Sequence, residues 1–501
     1  MDRRRFLAAA AGSLAAPLLP AASPGEAGAT LLDRARALAR RPHVPSSGRL
    51  PPPFAGLDYD AYRAIRPIAG RSGRLPLGPG WAVDLLPPGL WFRDPVRIEL
   101  PSAQGPRAVP FSPELFRFDP RHFDAPPPRA PGAGFSGLRL RHPLNAPERM
   151  DEVLVVQGAS YFRALGRAMV YGLSARALAL GTGGAGPEEF PRFTALRLHR
   201  PEGEGVRLEG LIDSPSLAGH LELQLHPGVE TVMDVRVHVF PRRDRVDVGI
   251  APLTSFYLKG PLRASVSDDF RPRVHDSDVL YIENGAGEGL WRPLSNPARV
   301  QTSAFLDDGP VAFGLHQTPR RFADYEDTEA RYHDRPSAVV RPCGDWGRGA
   351  VMLVEIPTTS EALDNLVAFW RPEAPLRAGE ARRFDYRLLW TRAAPGLPGP
   401  VRIRQTRSGR EHERVGVRRY VIDFAGDVTH LVPELSATGG AELSGTSLFR
   451  LPGERGTRLT FLLAPGAIDA AELRLVLRDA AGGPVGPVWL HRWTRARDGG
   501  I

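Results

Sequence analysis

Asp276, Asp278, Glu283 and Glu288 fall within the run 271–297, RPRVHDSDVLYIENGAGEGLWRPLSNP, together with His275, Trp291, Arg292 and Asn296. Carboxylates move protons and accept hydrogen bonds from sugar hydroxyls. A Trp offers a flat face to the apolar side of a pyranose. Their combination is what a carbohydrate site requires. A solvated acidic loop is the alternative, though such a loop seldom also contains Trp, Leu and Tyr. If HDSD is extended, Asp276 and Asp278 project to one face, and one carboxylate can orient water or sugar while the other tunes it by charge.

These residues need a scaffold, and the sequence points to sheets. From about 90 to 250, segments such as VRIEL, TALRLHRP, VRLEGLID, HLELQLH and TVMDVRVHVF alternate apolar and polar residues with period two, the pattern of antiparallel strands with one wet face. Gly 53 and Pro 51 together disfavour long helices. No regular βα alternation appears, which argues against a Rossmann-like fold or a TIM barrel. P-loop, GxSxG and HExxH motifs are absent. LLDRARALARR, near the start, reads as a short helix lying against a larger domain. A Pro/Gly/Glu link at 373–381 separates a large domain, 30–372, from a second, 382–501. YRLLW, VRRYVIDF, GTSLFRL, TRLTFLL, AELRLVLRD and VWLHRW in the second predict about seven strands and an immunoglobulin-like sandwich.

A chain of 501 residues makes two domains the default. The formal charge is +9 and Lys259 is the only lysine. The basic residues are scattered among acids, which argues against nucleic acid as a partner. Cys343 is the only cysteine, so neither an intrachain disulfide nor a Cys-based metal cluster is available. His275, His316 and His333 lack metal-ligand spacing, so no metal and no cofactor are expected. Cys343 reads as a small packed side chain rather than a nucleophile. The N-terminus, with Arg3, Arg4, Arg5, Phe6 and Leu7 before AAAAGSLAAPLLP, has the organisation of a signal peptide over 1–29. Its order resembles the twin-arginine type, with Asp2 where Ser or Thr is usual. Cleavage is expected between Pro20 and Ala29. No later stretch is long and apolar enough to span a bilayer, so the mature protein is expected to be a soluble periplasmic one.

Ten segments, in order, carry a resemblance to a known family: LDYDAYRAIRP, GFSGLRLRHPLN, QGASYFRALGRAMVYGLSARALAL, EEFPRF, GIAPLTSF, RPRVHDSD, GLWRPLSNP, RFADYEDTEARYHDRPS, GDWGRGAVMLVEIPT and DNLVAFWRP. Together they resemble the periplasmic glucan biosynthesis proteins G and D, which serve osmoregulated periplasmic glucans with a β-1,2-linked backbone. The twin-arginine-type signal points to the D branch. The resemblance implies a mainly β protein, with a large N-terminal sandwich similar to the galactose-mutarotase supersandwich and an Ig-like domain behind it. It also implies internal, inverting hydrolysis of β-1,2-glucan. A homodimer and contact with the glucan synthesis machinery are further expectations. After HDSD the family usually continues with Gly-Leu, whereas this chain has Val279-Leu280, a change expected to stiffen a loop and to bear on product pattern.

Inversion needs a proton donor and a base that activates water. Asp364 alone reads as a turn residue before a strand, and the resemblance makes it the general acid. Asp276 is the expected base, with Asp278 its rival. Tyr332 is a candidate relay, since a phenol donates and accepts at once. Trp291, Trp346, Trp370, Tyr325 and Tyr161 are candidate sugar platforms, at least two of them expected to line a groove, although each alone is as compatible with core packing. Arg163, Arg292 and Arg335 could hold vicinal diols or form structural ion pairs. Asp278 is a further expected substrate contact, and Glu288, Asp345 and Glu355 read equally as acceptors for substrate hydroxyls or as structural anchors.

Overall fold

The computed structural model describes residues 29–129, 132–262, 268–396, 401–453 and 456–499. The signal segment lies, apart from Ala29, outside the described residues. Among the described residues no helix is long and apolar enough to cross a membrane.

The period-two segments become strands, and the chain is mainly β with sandwich-like sheets. Strand Thr231–Pro241 shows why: Met233, Val235, Val237 and Val239 are buried while Asp234 between them is exposed. It pairs antiparallel with Leu217–His226 so that Leu221 faces Val237 and Leu223 faces Val235. A slip of one residue would expose the whole apolar row, so burial fixes the register. Two large sheets result, one of eleven strands and one of fourteen. One apolar core joins them: Val83, Leu140, Leu253 and Ala368 from the first belong to the same cluster as Leu208, Leu223, Val237 and Trp390 from the second.

Helix Leu31–Ala39 is capped by Thr30, whose hydroxyl accepts from Asp33 N at 3.1 Å. Its Leu31 and Ala35 pack on Ala195, Leu211 and Phe240 of the fourteen-stranded sheet, as the helical spacing predicts.

Seven strands lie between Arg402 and Thr494. Arg402–Arg410, Arg418–Ala425, Gly456–Ala464 and Glu442–Arg450 form a separate four-stranded sheet. Val432–Ala437, Ala470–Arg478 and Val488–Thr494 instead continue the fourteen-stranded sheet, through a parallel pair that sets Leu290 beside Val488 and Trp291 beside Trp489. A second core gathers around Tyr420, Phe461, Trp489 and Trp493 and takes in Val279, Tyr281 and Trp291.

The strand expected to open the second domain belongs to the first. Arg382–Thr391 lies between Thr231–Pro241 and Ser337–Cys343. Its inward residues Phe384, Tyr386, Leu388 and Trp390 complete the first core. Apolar burial there, rather than the preceding link, decides where the strand goes.

Candidate functional site

Strand Val248–Ser255 organises the site. Its end meets two neighbours: Ser255 is in register with Leu366 of strand Leu366–Pro372, and Thr254 with Ser174 of strand Ser174–Arg176. Asp364 lies just ahead of the first of these neighbours, separated from it by Asn365 alone. Just beyond Ser255, Phe256 O accepts from Asp276 N at 3.0 Å. Two carboxylates 88 positions apart in the chain (276 to 364) therefore arrive at one end of one sheet.

Buried side chains lock this junction. Asn365 Oδ1 accepts from Tyr257 N at 2.8 Å, and its Nδ2 donates to Tyr257 O at 3.2 Å and Ile356 O at 2.8 Å. Ser255 Oγ donates to Ser277 Oγ at 2.9 Å. Both residues flanking the carboxylates are thus fixed by bonds that solvent cannot replace, since buried polar groups left unpaired are costly.

The two carboxyl groups have different surroundings. Asp276 is 4% exposed, and Arg335 Nη1 donates to its Oδ1 at 2.5 Å. Burial raises its pKa, Arg335 opposes that rise, and the negative charge of Asp364 adds to it. Asp364 has an exposed surface and no hydrogen-bond partner among the described residues. Protein crowded around it still raises its pKa, against the pull of Arg163 and Arg176. An exposed carboxylate can still have surrounding protein that weakens solvation of its charge. Arg163 acts on both carboxylates, and its Nε is held by Ser174 Oγ at 2.7 Å.

On one side Arg335 continues the chain of contacts. Its guanidinium lies 4.4 Å from the Tyr332 ring centroid, while Gly172 packs against its stem: a Cβ at Gly172 would come within 2.9 Å of Arg335 Cβ. The Tyr332 hydroxyl donates to Glu361 Oε2 at 2.6 Å. Arg271 Nη1 reaches the same oxygen at 3.0 Å, and Asp327 Oδ2 at 2.9 Å. Burial and Glu361 push the Tyr332 phenol up, so it stays protonated. Glu361 was not singled out in the sequence. The available signal was a second carboxylate three residues before Asp364, in SEALDN.

On the other side lie Tyr161 and Arg176, the latter 5.1 Å from the Tyr161 ring and 5.0 Å from the Phe190 ring. Arg176 Nη1 donates to Glu188 Oε1 at 2.8 Å. Burial and the charge of Asp364 raise the Tyr161 phenol. Phe190 is 49% exposed, so with half-buried Tyr161 it offers the apolar surface available to a sugar here. Phe190 also escaped the sequence reading, because nothing local distinguishes it from a core Phe.

Several expected site residues lie elsewhere. Trp370 is 0% exposed, Trp291 2%, Trp346 5% and Tyr325 0%. With so little exposed surface, none can stack on a sugar. Trp346 and Trp370 belong to the first core and Trp291 to the second, while the Tyr325 hydroxyl donates to Thr318 O and Pro319 O. Arg292 and Glu355 form a buried ion pair at 3.3 Å, and Ser295 N and Oγ also bond Glu355. Glu288 accepts from Arg474 of the C-terminal strands at 2.8 Å. Asp345 is exposed and caps its own turn through Gly347 N. Cys343 is exposed rather than packed. Val279 stiffens no loop; it opens strand Val279–Glu283 and is buried in the second core.

Asp278 is also separate from Asp276. Residues 276–278 are not a strand, and the chain bends at Asp276. Asp278 accepts from Thr318 N at 2.8 Å and from Thr318 Oγ1. It lines a cavity with Tyr257, Arg273 and, from the C-terminal strands, Gln405 and Thr406. Burial pushes its carboxyl up to about 7.

The sequence matches the family model described as periplasmic glucan biosynthesis protein, MdoG, over residues 27–493. Relatives named glucans biosynthesis protein G are 41% identical in Vibrio cholerae, over 93% of this chain and 86% of theirs, and 41% identical in Shewanella frigidimarina, over 93% and 84%. Another of that name, from Rhodopseudomonas palustris, is 40% identical over 99% of this chain and its own full length. These relatives carry the G name, so the D branch rests on the N-terminal signal alone. Matches of this extent show that the chain belongs to the periplasmic glucan biosynthesis protein family.

Proposed function

We propose that this protein is an inverting, endo-acting β-1,2-glucan hydrolase, exported to the periplasm by its twin-arginine-type signal, that controls the backbone of osmoregulated periplasmic glucans. The observation that carries the reading is that strand Val248–Ser255 and its neighbours bring Asp276 and Asp364 to one end of one sheet, both within electrostatic reach of Arg163, with Asp276 clamped by Arg335 and Asp364 unbonded among the described residues.

Asp364 is the general acid. The upward direction of its pKa and its exposed surface suit a group that delivers a proton to a leaving oxygen. Asp276 is the base: burial raises its pKa, and the Arg335 contact opposes that rise and favours the ionised form. Because its surface is nearly closed, activation of water runs through a relay. Tyr332 and Glu361 form the hydrogen-bonded pair beside Arg335 that supplies one. Arg163, Arg176, Tyr161 and Phe190 hold the chain of sugars on the far side of Asp364.

Linear β-1,2-glucan digested by the mature protein should give shorter oligosaccharides whose new reducing ends first appear as the inverted anomer by proton NMR. No cleavage by fully folded protein would remove the hydrolase reading. Transglycosylation by the same acid and base is the second reading, favoured by the partial closure around Asp276, and new linkages or cyclic products would mark it. Glucan binding without turnover would indicate a scaffold that organises synthesis.

A further inference from the structure

Far along the chain from either carboxylate, a two-stranded ribbon pairs Ile65–Pro67 with Phe116–Phe118. Ile65, Phe116 and Phe118 are buried beneath it. The alternate residues, Arg66 and Arg117, stand directly opposite one another and are both exposed. Like charges directly opposite across a strand pair are destabilising. The buried underside holds the ribbon in register, so the two guanidinium groups cannot separate by sliding.

An open cavity of about 740 Å³ lies over this pair, lined also by Arg63, Arg121 and His122 and by the carboxylates Asp60 and Asp119. Arg121 is occupied: its Nε and Nη2 bond Asp119 at 3.1 and 2.7 Å. Arg63 lies 5.4 Å from the Tyr59 ring. Among the described residues, Arg63, Arg66 and Arg117 have no carboxylate partner within ion-pair distance. Elsewhere in the molecule arginines on strands are regularly paired, as Arg236 is with Glu222 and Arg387 with Asp234. Other strand arginines, such as Arg107 and Arg341, also lack an ion pair among the described residues, but Arg66 and Arg117 stand directly opposite one another with a cavity above them.

We propose that this cavity is an anion site for a phosphoryl group, with Arg66 and Arg117 as its floor and Arg63 and His122 at its side. Planar guanidinium forks match phosphate oxygens two at a time, and a bound dianion or diester would turn the repulsion between Arg66 and Arg117 into attraction to a shared partner. The phosphoryl group can belong to a small phosphate ester or to a lipid headgroup, and the two sources are separable. The site does not depend on the hydrolase reading.

The test is calorimetric titration of the mature protein with glycerol 1-phosphate and with inorganic phosphate, against sodium chloride at matched ionic strength. Saturable binding to either phosphate, weakened about tenfold or more in Arg66→Ala/Arg117→Ala, supports the site, the fold-change expected when about 1.4 kcal/mol of recognition is lost. Binding to vesicles containing phosphatidylglycerol but not to pure phosphatidylcholine, lost in the same variant, supports it with a lipid source. The double variant should unfold at the same or a higher temperature than wild type, because a repulsion is removed. The conservative double variant, Arg66→Lys/Arg117→Lys, keeps the charge and should bind more weakly than wild type but above the alanine variant. No saturable binding to any of the probes, or equal binding by wild type and the folded alanine variant, overturns the proposal.

Discussion

Asp276 and Asp278 stand two residues apart in HDSD and occupy different settings. Asp276 turns to an arginine-rich junction, with Arg335 on its oxygen and Asp364 and Arg163 within electrostatic reach. Asp278 turns to a cavity shared with the C-terminal strands, where Thr318 supplies neutral donors. Aromatic rings lie between these settings: Tyr325 is 6.0 Å from Tyr332 and 5.3 Å from His275, which stacks on Tyr257 at 5.2 Å. Burial raises both carboxyls. What differs is the partner: a guanidinium bonds Asp276 directly and Asp364 lies within electrostatic reach of it, whereas Asp278 is bonded by Thr318 and feels Arg273 and Arg320 only through space. A perturbed pKa alone therefore does not mark chemistry; here the more conspicuous shift belongs to the carboxylate outside the proposed reaction.

The largest expected effect is at the open carboxylate. Asp364→Asn should lower the hydrolysis rate by at least about 100-fold with little change in glucan affinity, as removal of a general acid does, measured by reducing-end release and by equilibrium binding. A rate within a few-fold of wild type would leave the acid unassigned. Asp276→Asn should cost a comparable factor, about 100-fold. Here the pH–rate profile is the sharper readout, since the variant should lose its acidic limb.

Tyr332→Phe removes a hydrogen bond to a carboxylate and should lower the rate by about tenfold or more, with Glu361→Gln giving an effect of the same order. If Tyr332 only packs, the rate will hold while the unfolding temperature falls. The smallest catalytic effect is at Asp278. Asp278→Asn should leave the rate within about threefold of wild type, the range expected for a site that does not couple to the reaction.

That same variant should change stability against pH. The folded pKa of Asp278 is near 7 and its ordinary value 3.8, so between these values the folded protein binds more protons than the unfolded chain. Stability from this group is present below about pH 4 and is lost as pH rises to about 7. Asp278→Asn should flatten that loss in denaturant titrations across the window. An unchanged slope would mean that Asp278 is solvated in the cavity.

The candidate aromatics show where local reading stops. Trp291, Trp346 and Trp370 have the residue type of a sugar platform, but two cores bury them. Phe190 and Tyr161 retain surface even though Arg176, against which both rings pack, is buried. Burial is a property of how sheets stack, and residue type records only that a side chain is large and apolar. The same holds for YRLLW, whose alternation reads correctly as a strand and gives no information on which sheet receives it.

By itself the sequence determined a mainly β protein, because period-two burial is written residue by residue, and it determined the family, through long segments in a set order along the chain. It also placed a short helix over LLDRARALARR, which the structure shows as Leu31–Ala39. Only the tertiary structure decided that Asp276 comes within electrostatic reach of Asp364, that Asp278 turns to a separate cavity, that Glu361 joins Tyr332, and that Arg66 faces Arg117 under a cavity. Those encounters depend on register between strands far apart in the chain, such as Ser255 beside Leu366. Register is set by the joint packing of many side chains, so no local stretch carries it.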